Sequence, residues 1–121
     1  MQFAQKNFYK KFFGRSGEKR AAEYLKKEGY EILEKNYKTH VGEADIICAK
    51  DDYVVFVEVK TRVNDEFGAP SEAVDLKKQR KYVKVAEEYL LRNEKWDAPC
   101  RFDVIEIEDG KINHIENAFS A

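Results

Sequence analysis

Glu58 and Lys60 stand two residues apart at the end of the most β-prone run in the chain, YVVFVEVKT. Alternation puts Val54, Phe56, Glu58 and Lys60 on one face of that strand and Tyr53, Val55, Val57 and Val59 on the other. Both faces begin apolar, as in a central strand covered on both sides. A carboxylate and an ammonium at the end of such a strand are costly unless they are paired or belong to a site. The preceding run, EADIICA, sets Glu43, Asp45 and Ile47 on one face, and a tight turn at Asp51–Asp52 joins the two runs. Asp45 and Glu58 each stand six residues from that turn, so a simple hairpin makes them direct cross-strand partners. Facing carboxylates repel by a few tenths to about 1 kcal/mol even when exposed. A divalent cation between them turns that repulsion into a binding site, and oxygen-only ligands favour Mg2+ or Mn2+ over zinc.

Two helical stretches point toward the same place. Glu18 precedes Ala21, Ala22 and Leu25 at helical spacing, which sets it on the stripe expected to face the sheet. Gln79 holds the matching inward position in the second stretch, where Leu76, Gln79, Val83, Ala86 and Leu90 recur. A partly buried salt bridge would account for any two of these polar residues. Glu18, Asp45, Glu58 and Lys60 together place three acids against one base, and a cation relieves the excess.

The elements that must hold these residues follow from local signals. A helix over 15–28 ends at Gly29, a left-handed stop. Strands are expected over 30–36, 43–49 and 53–61, with KTHVG turning the chain between the first two. The loop RVNDEFGAP leads to a helix that Asp75 caps. RFDVIEIE is a fourth strand, and Asp109–Gly110 is a hairpin signal before a short fifth. The order is α-β-β-β-α-β-β, and the helical crossover from strand 3 to strand 4 makes the sheet mixed, with a parallel pair at its centre.

At 121 residues the expectation is a single domain over 14–121, preceded by a basic, aromatic segment over 1–13. That segment lacks the apolar core of a secretory signal and reads first as a partly ordered tail, second as an amphipathic docking segment. No run approaches the ~20 apolar residues of a membrane helix, so no stable membrane association is expected. Cys48 and Cys100, without CxxC spacing, read as small core residues of a reducing cytoplasm. His40 and His114 lack ligand-spaced partners and read as surface or structural. Arg101 and Asp103 are expected to brace strand 4 as a local ion pair.

GEADII followed by VFVEVKTR resembles the PD-(D/E)XK nuclease superfamily. More closely, GRSGEKRAAEYLKKEGY, NYKTHVGEADII, VVFVEVKTRVNDEFGAPSEAV, Lys78–Gln79, CRFDVIEIE and HIENAF together resemble the YraN-type family of uncharacterised bacterial proteins. The resemblance spans nearly everything after residue 13. It implies an α/β, restriction-endonuclease-like fold, a central mixed sheet flanked by helices. It places Asp45, Glu58 and Lys60 at the signature positions and Glu18 as the helix-1 acid. The arrangement is also similar to that of archaeal Holliday-junction resolvases, which pair such a site with dimerisation, so a homodimer is an expectation too. Asp45 belongs to a GExD element rather than a literal Pro-Asp, which leaves Glu43 as an additional metal ligand.

The chemistry implied is phosphodiester hydrolysis, with Mg2+ or Mn2+ on Asp45, Glu58 and the Val59 carbonyl, and Lys60 orienting water or stabilising the transition state. Net charge is only −1, so a nucleic-acid partner must be met by local charge. Lys77, Lys78, Arg80, Lys81 and Lys84 crowd the first half of helix 2, against the preference of the helix dipole. Phosphate contact explains that placement, with Gln79 among the contacts; a solvated charged face is the alternative. Lys6, Lys10, Lys11, Arg15, Lys19 and Arg20, interleaved with Phe8, Tyr9, Phe12 and Phe13, form a second candidate patch. The expected function is a metal-dependent nuclease acting on DNA, branched or damaged DNA included. The alternative is a non-catalytic nucleic-acid- or partner-binding module that keeps the fold.

Overall fold

The computed structural model describes residues 16–62 and 74–121. The aromatic segment with its basic patch and the RVNDEFGAP loop lie outside these residues, apart from Lys19, Arg20 and Arg62, of which the first two are exposed on the first helix. Helix α1 (residues 16–27) stops where Gly29 adopts φ +93° and the Tyr30 N–H closes onto the Leu25 carbonyl at 2.9 Å. Five strands follow in the expected interleaving with one further helix: β1 (Glu31–Thr39), β2 (Gly42–Lys50), β3 (Tyr53–Arg62), α2 (Leu76–Arg92), β4 (Cys100–Glu108) and β5 (Lys111–Phe119). The sheet runs β1-β2-β3-β4-β5, antiparallel except for the parallel β3–β4 pair at its centre. This is the α/β, restriction-endonuclease-like order expected from the sequence. No helix among the described residues is long and apolar enough to cross a membrane.

The β2–β3 and β4–β5 hairpins turn on Asp51–Asp52 and Asp109–Gly110, all four residues at positive φ, which suits the right-handed twist of the strands they join. β1 is longer than expected. A bulge between Ile32 and Glu34 breaks its alternation, and pairing with β2 continues to Thr39↔Gly42. The Thr39 hydroxyl then closes the turn by accepting from the Val41 N–H and donating to the Gly42 carbonyl.

Each face of the sheet is covered by one helix. Ala21, Ala22 and Leu25 of α1 pack on Ile46, Val55, Val57 and Ile105. Gly17 at the start of α1 approaches β3 so closely that a Cβ there would collide with the Thr61 hydroxyl. A buried polar cluster braces this layer. Asp103, fully enclosed, takes a bidentate pair from Arg101 at 2.8–2.9 Å, a contact from His114 Nε2 at 2.7 Å and the Asn117 N–H at 3.0 Å. Tyr24 of α1 meets His114 Nδ1 at 3.1 Å, and Arg101 reaches the Tyr30 hydroxyl at 2.6 Å. The expected Arg101–Asp103 pair is thus present, and His114 is structural.

On the other face, the inward stripe of α2 is rotated from the expected one. Tyr82, Val85, Ala86, Tyr89 and Leu90 are buried, whereas Leu76 is 65% exposed and Val83 only half-buried. Extending the observed stripe backward from Tyr82 gives Lys78 at four residues and the half-buried Gln79 at three, and leaves Leu76 off it. The Gln79 amide donates to the Val74 carbonyl at 2.9 Å and holds the entry to the helix. Cys48 is buried in the core and Cys100 half-buried, and both are free thiols.

Removing a buried methyl pair on the observed stripe should cost far more than truncating the exposed leucine. Val85→Ala is expected to lower unfolding stability by about 2 kcal/mol, and Leu76→Ala to stay within about 0.5 kcal/mol, both read by urea denaturation.

Candidate active site

The β2–β3 ladder pairs from Lys50↔Tyr53 to Ile46↔Val57, the register expected for the hairpin. Beyond that pair the strand groups find other partners. The Tyr82 hydroxyl, projecting from α2, accepts from the Asp45 N–H and donates to the Val57 carbonyl, each at 3.3 Å. The Asp45 carboxylate crosses to β3, where Oδ2 accepts from the Val59 N–H at 2.8 Å. The N–H and C=O of one strand residue leave the chain on the same side, so the Val59 carbonyl also belongs to the β2 side.

This arrangement presses Asp45 against Glu58. Burial pushes the Asp45 carboxyl up to about 8, helped by a hydrogen bond to Glu58 and by its negative charge; the Val59 N–H and Lys78 oppose the rise. Burial beside the Glu58 charge thus favours the protonated form of Asp45. Glu58 is itself 5% exposed. Its Oε2 lies 2.6 Å from Lys78 Nζ. Beyond that ion pair, no group among the described residues satisfies Oε2. Burial pulls the Lys78 ammonium down, but the ion pair with Glu58, with the charges of Asp45 and Glu43 behind, raises it overall.

Asp45, Glu58, Val59 and Lys78 thus converge on one point. Lys60 follows Glu58 on the same face and is exposed. Glu43 is exposed and lines a cavity of about 340 Å3 with Gly42, Asp75, Lys77, Lys78 and Lys81. Glu18 is half-buried at the start of α1, on the opposite layer, beside the end of β3 where Gly17 meets Thr61. The sheet lies between the two helices, so Glu18 and Gln79 approach it from opposite layers. Two participants are found only in three dimensions. Tyr82 holds the strand ends, and Lys78, expected to contact phosphate, is the ion-pair partner of Glu58. The spacing Lys78–Tyr82–Val85–Tyr89 carried that signal. A further pair, Arg62–Glu106 at 2.7 Å, is buried on β3 and β4.

No group of three or more His, Cys, Asp or Glu among the described residues is arranged to hold a metal. The donor set is two carboxylates with one unsatisfied buried oxygen and a nearby carbonyl. That fits Mg2+, which keeps several waters and binds through one or two carboxylates plus substrate phosphates, and it does not fit a structural zinc.

The sheet order and the carboxylate pair define a restriction-endonuclease-like α/β protein. The chain belongs to the uncharacterised protein family UPF0102, the YraN-type family, whose model matches residues 17–107. It is 49% identical over 121 residues to a UPF0102 protein of Caldanaerobacter subterraneus, covering 94% of this chain and 99% of the relative. A UPF0102 protein of Alkaliphilus oremlandii is 50% identical over 117 residues, 90% of this chain and 98% of the relative. One from Clostridioides difficile is 49% identical over 108 residues, 88% and 95% respectively.

Asp45 and Asp103 predict opposite mutational outcomes. Asp103 is held below the usual carboxylate range; burial raises it, but His114, Arg101 and the Asn117 N–H outweigh that. Asp103→Asn breaks a satisfied buried pair and should cost about 3–5 kcal/mol. Asp45→Asn removes a repulsion and should leave metal-free stability unchanged or slightly raised. Because the folded-state value of Asp45 is raised, its contribution is complete below about 4 and is lost as pH climbs through about 8. Metal-free unfolding measured from acid to mildly alkaline pH should show this loss in the parent, and a flatter profile in Asp45→Asn.

Proposed function

We propose that the chain is a metal-dependent nuclease that hydrolyses phosphodiester bonds in DNA. The observation that carries this reading is the Asp45–Glu58 pair, side by side past the end of the β2–β3 ladder, with Lys60 next on the same face. Asp45, Glu58 and the Val59 carbonyl would hold Mg2+ or Mn2+, with Glu43 the nearest further acid. The ion supplies charge neutralisation at the scissile phosphate and a lowered pKa for an attacking water. Lys60, exposed and unburdened by packing, orients that water or stabilises charge on the phosphate oxygens. Tyr82 keeps Asp45 at the height of Val59. Glu18, on the α1 layer near Thr61 at the same end of β3, fits an outer water-holding role.

The nucleic-acid strand is expected along the first half of α2. Lys77, Arg80 and Lys81 are exposed there, no acid stands in the first turn, and the basic cavity opens beside the carboxylates. With a net charge of −1 the affinity comes from this patch, and a homodimer would double it. Branched or damaged DNA is the substrate class proposed, because a short basic face suits a locally distorted duplex. A binding module without catalysis is the competing reading. Its support is the Lys78–Glu58 pair, which neutralises one carboxylate without any metal.

Cleavage decides between them. With Mg2+ or Mn2+, a panel of duplex, single-stranded, flap and four-way-junction DNA should include at least one substrate that is cut, and Glu58→Gln should slow cutting roughly a thousandfold. Binding without cutting by the parent would favour the module. Replacing Lys77, Arg80 and Lys81 by Gln should flatten the slope of log affinity against log salt by roughly 2–3. An unchanged slope would place the DNA elsewhere.

A further inference from the structure

Lys78 is fixed at its backbone and ion-paired at its half-exposed tip. Asp75 caps α2 by accepting the Lys78 N–H at 2.8 Å, which sets the residue in the first turn. Its stem then follows the inward stripe, and the ammonium ends 2.6 Å from the enclosed Oε2 of Glu58. About half of the Lys78 side chain is exposed, against 7% for that of Glu58. The same side chain lines the basic cavity shared with Lys77, Lys81 and Glu43. Two positions are therefore within reach of one flexible four-carbon stem, the carboxylate on the inner side and the cavity on the outer.

Glu58 Oε2 has room for one cation. A magnesium-sized ion sits about 2.0–2.1 Å from a ligating oxygen. An ammonium held on that oxygen would face the ion at close range, with little water between to screen the repulsion. The two cations exclude each other, and the ammonium is the one with somewhere else to go.

We propose that Lys78 is the internal counter-ion of the metal-free site, that it competes with the divalent ion for Glu58, and that the ion displaces it into the basic cavity, where it binds a phosphate of the nucleic acid. This rests on the nuclease reading and adds an order to it: metal binding arms the phosphate contact. Metal and nucleic acid then assist each other's binding, because each uses a group that the other sets free.

The test is Mn2+ affinity by calorimetry on the full chain, with Lys78→Met, Lys78→Gln and Lys81→Met as variants and Glu58→Gln as the reference for loss of the site. Removing the competitor should tighten Mn2+ binding by roughly tenfold in both Lys78 variants. Lys81→Met, which removes a charge nearby but no contact with Glu58, should change it far less. In a second arm, a phosphorothioate duplex that resists cleavage is titrated with and without Mn2+. The ion should strengthen its binding to the parent more than to Lys78→Met. Unchanged or weaker Mn2+ binding in both Lys78 variants overturns the proposal, as does equal tightening by Lys81→Met. If that happens while Glu58→Gln still abolishes Mn2+ binding, the nuclease reading stands and only the role of Lys78 falls. If the parent binds no Mn2+, both fall.

Discussion

Two carboxylates buried against each other need a proton or a cation between them, and most of this structure follows from how Asp45 and Glu58 are brought to that condition. The β2–β3 hairpin sets their register from a turn in which both residues take positive φ. The ladder ends one pair short of them. Tyr82 takes up the Asp45 N–H and the Val57 carbonyl, so the strand ends are held by α2 rather than by each other. In the metal-free protein the resulting charge is met twice, by the raised proton affinity of Asp45 and by the Lys78 ammonium. Neither is a permanent bond, which is what distinguishes this pair from Asp103, whose two oxygens are fully engaged by Arg101, His114 and the Asn117 N–H.

The Asp45–Glu58 pair and the Asp103 cluster divide the molecule into parts with different physical tasks. The α1 face is a dry apolar layer closed at one end by the Asp103 cluster, which ties α1 to β4 and β5 through Tyr24 and His114. Rigidity there keeps the central strands in place. The α2 face is apolar from Tyr82 onward and polar before it, so the helix serves as core at one end and as site wall at the other. Its basic first half fits this division: the carboxylates lie beneath that half, and the exposed lysines and arginine beside them offer a path for a phosphate backbone.

Elements whose ends are decided by local chemistry were legible in the sequence. Gly29, Asp75, Asp51–Asp52 and Asp109–Gly110 act through their own backbone preferences, and the sheet order follows once these punctuate the chain. The Asp45–Glu58 pairing was legible too, because equal distances from a two-residue turn leave only one simple register. The inner face of α2 was not. Reading Leu76 as inward assumes that a helix turns apolar groups to the sheet along its whole length. At its first turn the sheet presents Glu58, which the half-exposed Lys78 reaches with its ammonium, and Leu76 stays exposed. The role of Tyr82 was hidden for a related reason: its hydroxyl matters only because the β2–β3 ladder stops where it does. The convergence of Glu18 with the other acids could not be judged from spacing, since periodicity gives the face of a helix but not which side of the sheet the helix covers.

The central claim is that Asp45 and Glu58 form a divalent-ion site, and the most direct measurement is the location of a bound paramagnetic ion. Substoichiometric Mn2+ added to isotope-labelled protein should broaden the backbone amide signals around Asp45 and around Glu58–Val59 first, and Asp45→Asn should abolish that pattern. Uniform broadening, or broadening centred on the exposed acids of the Asp51–Asp52 turn, would contradict the account.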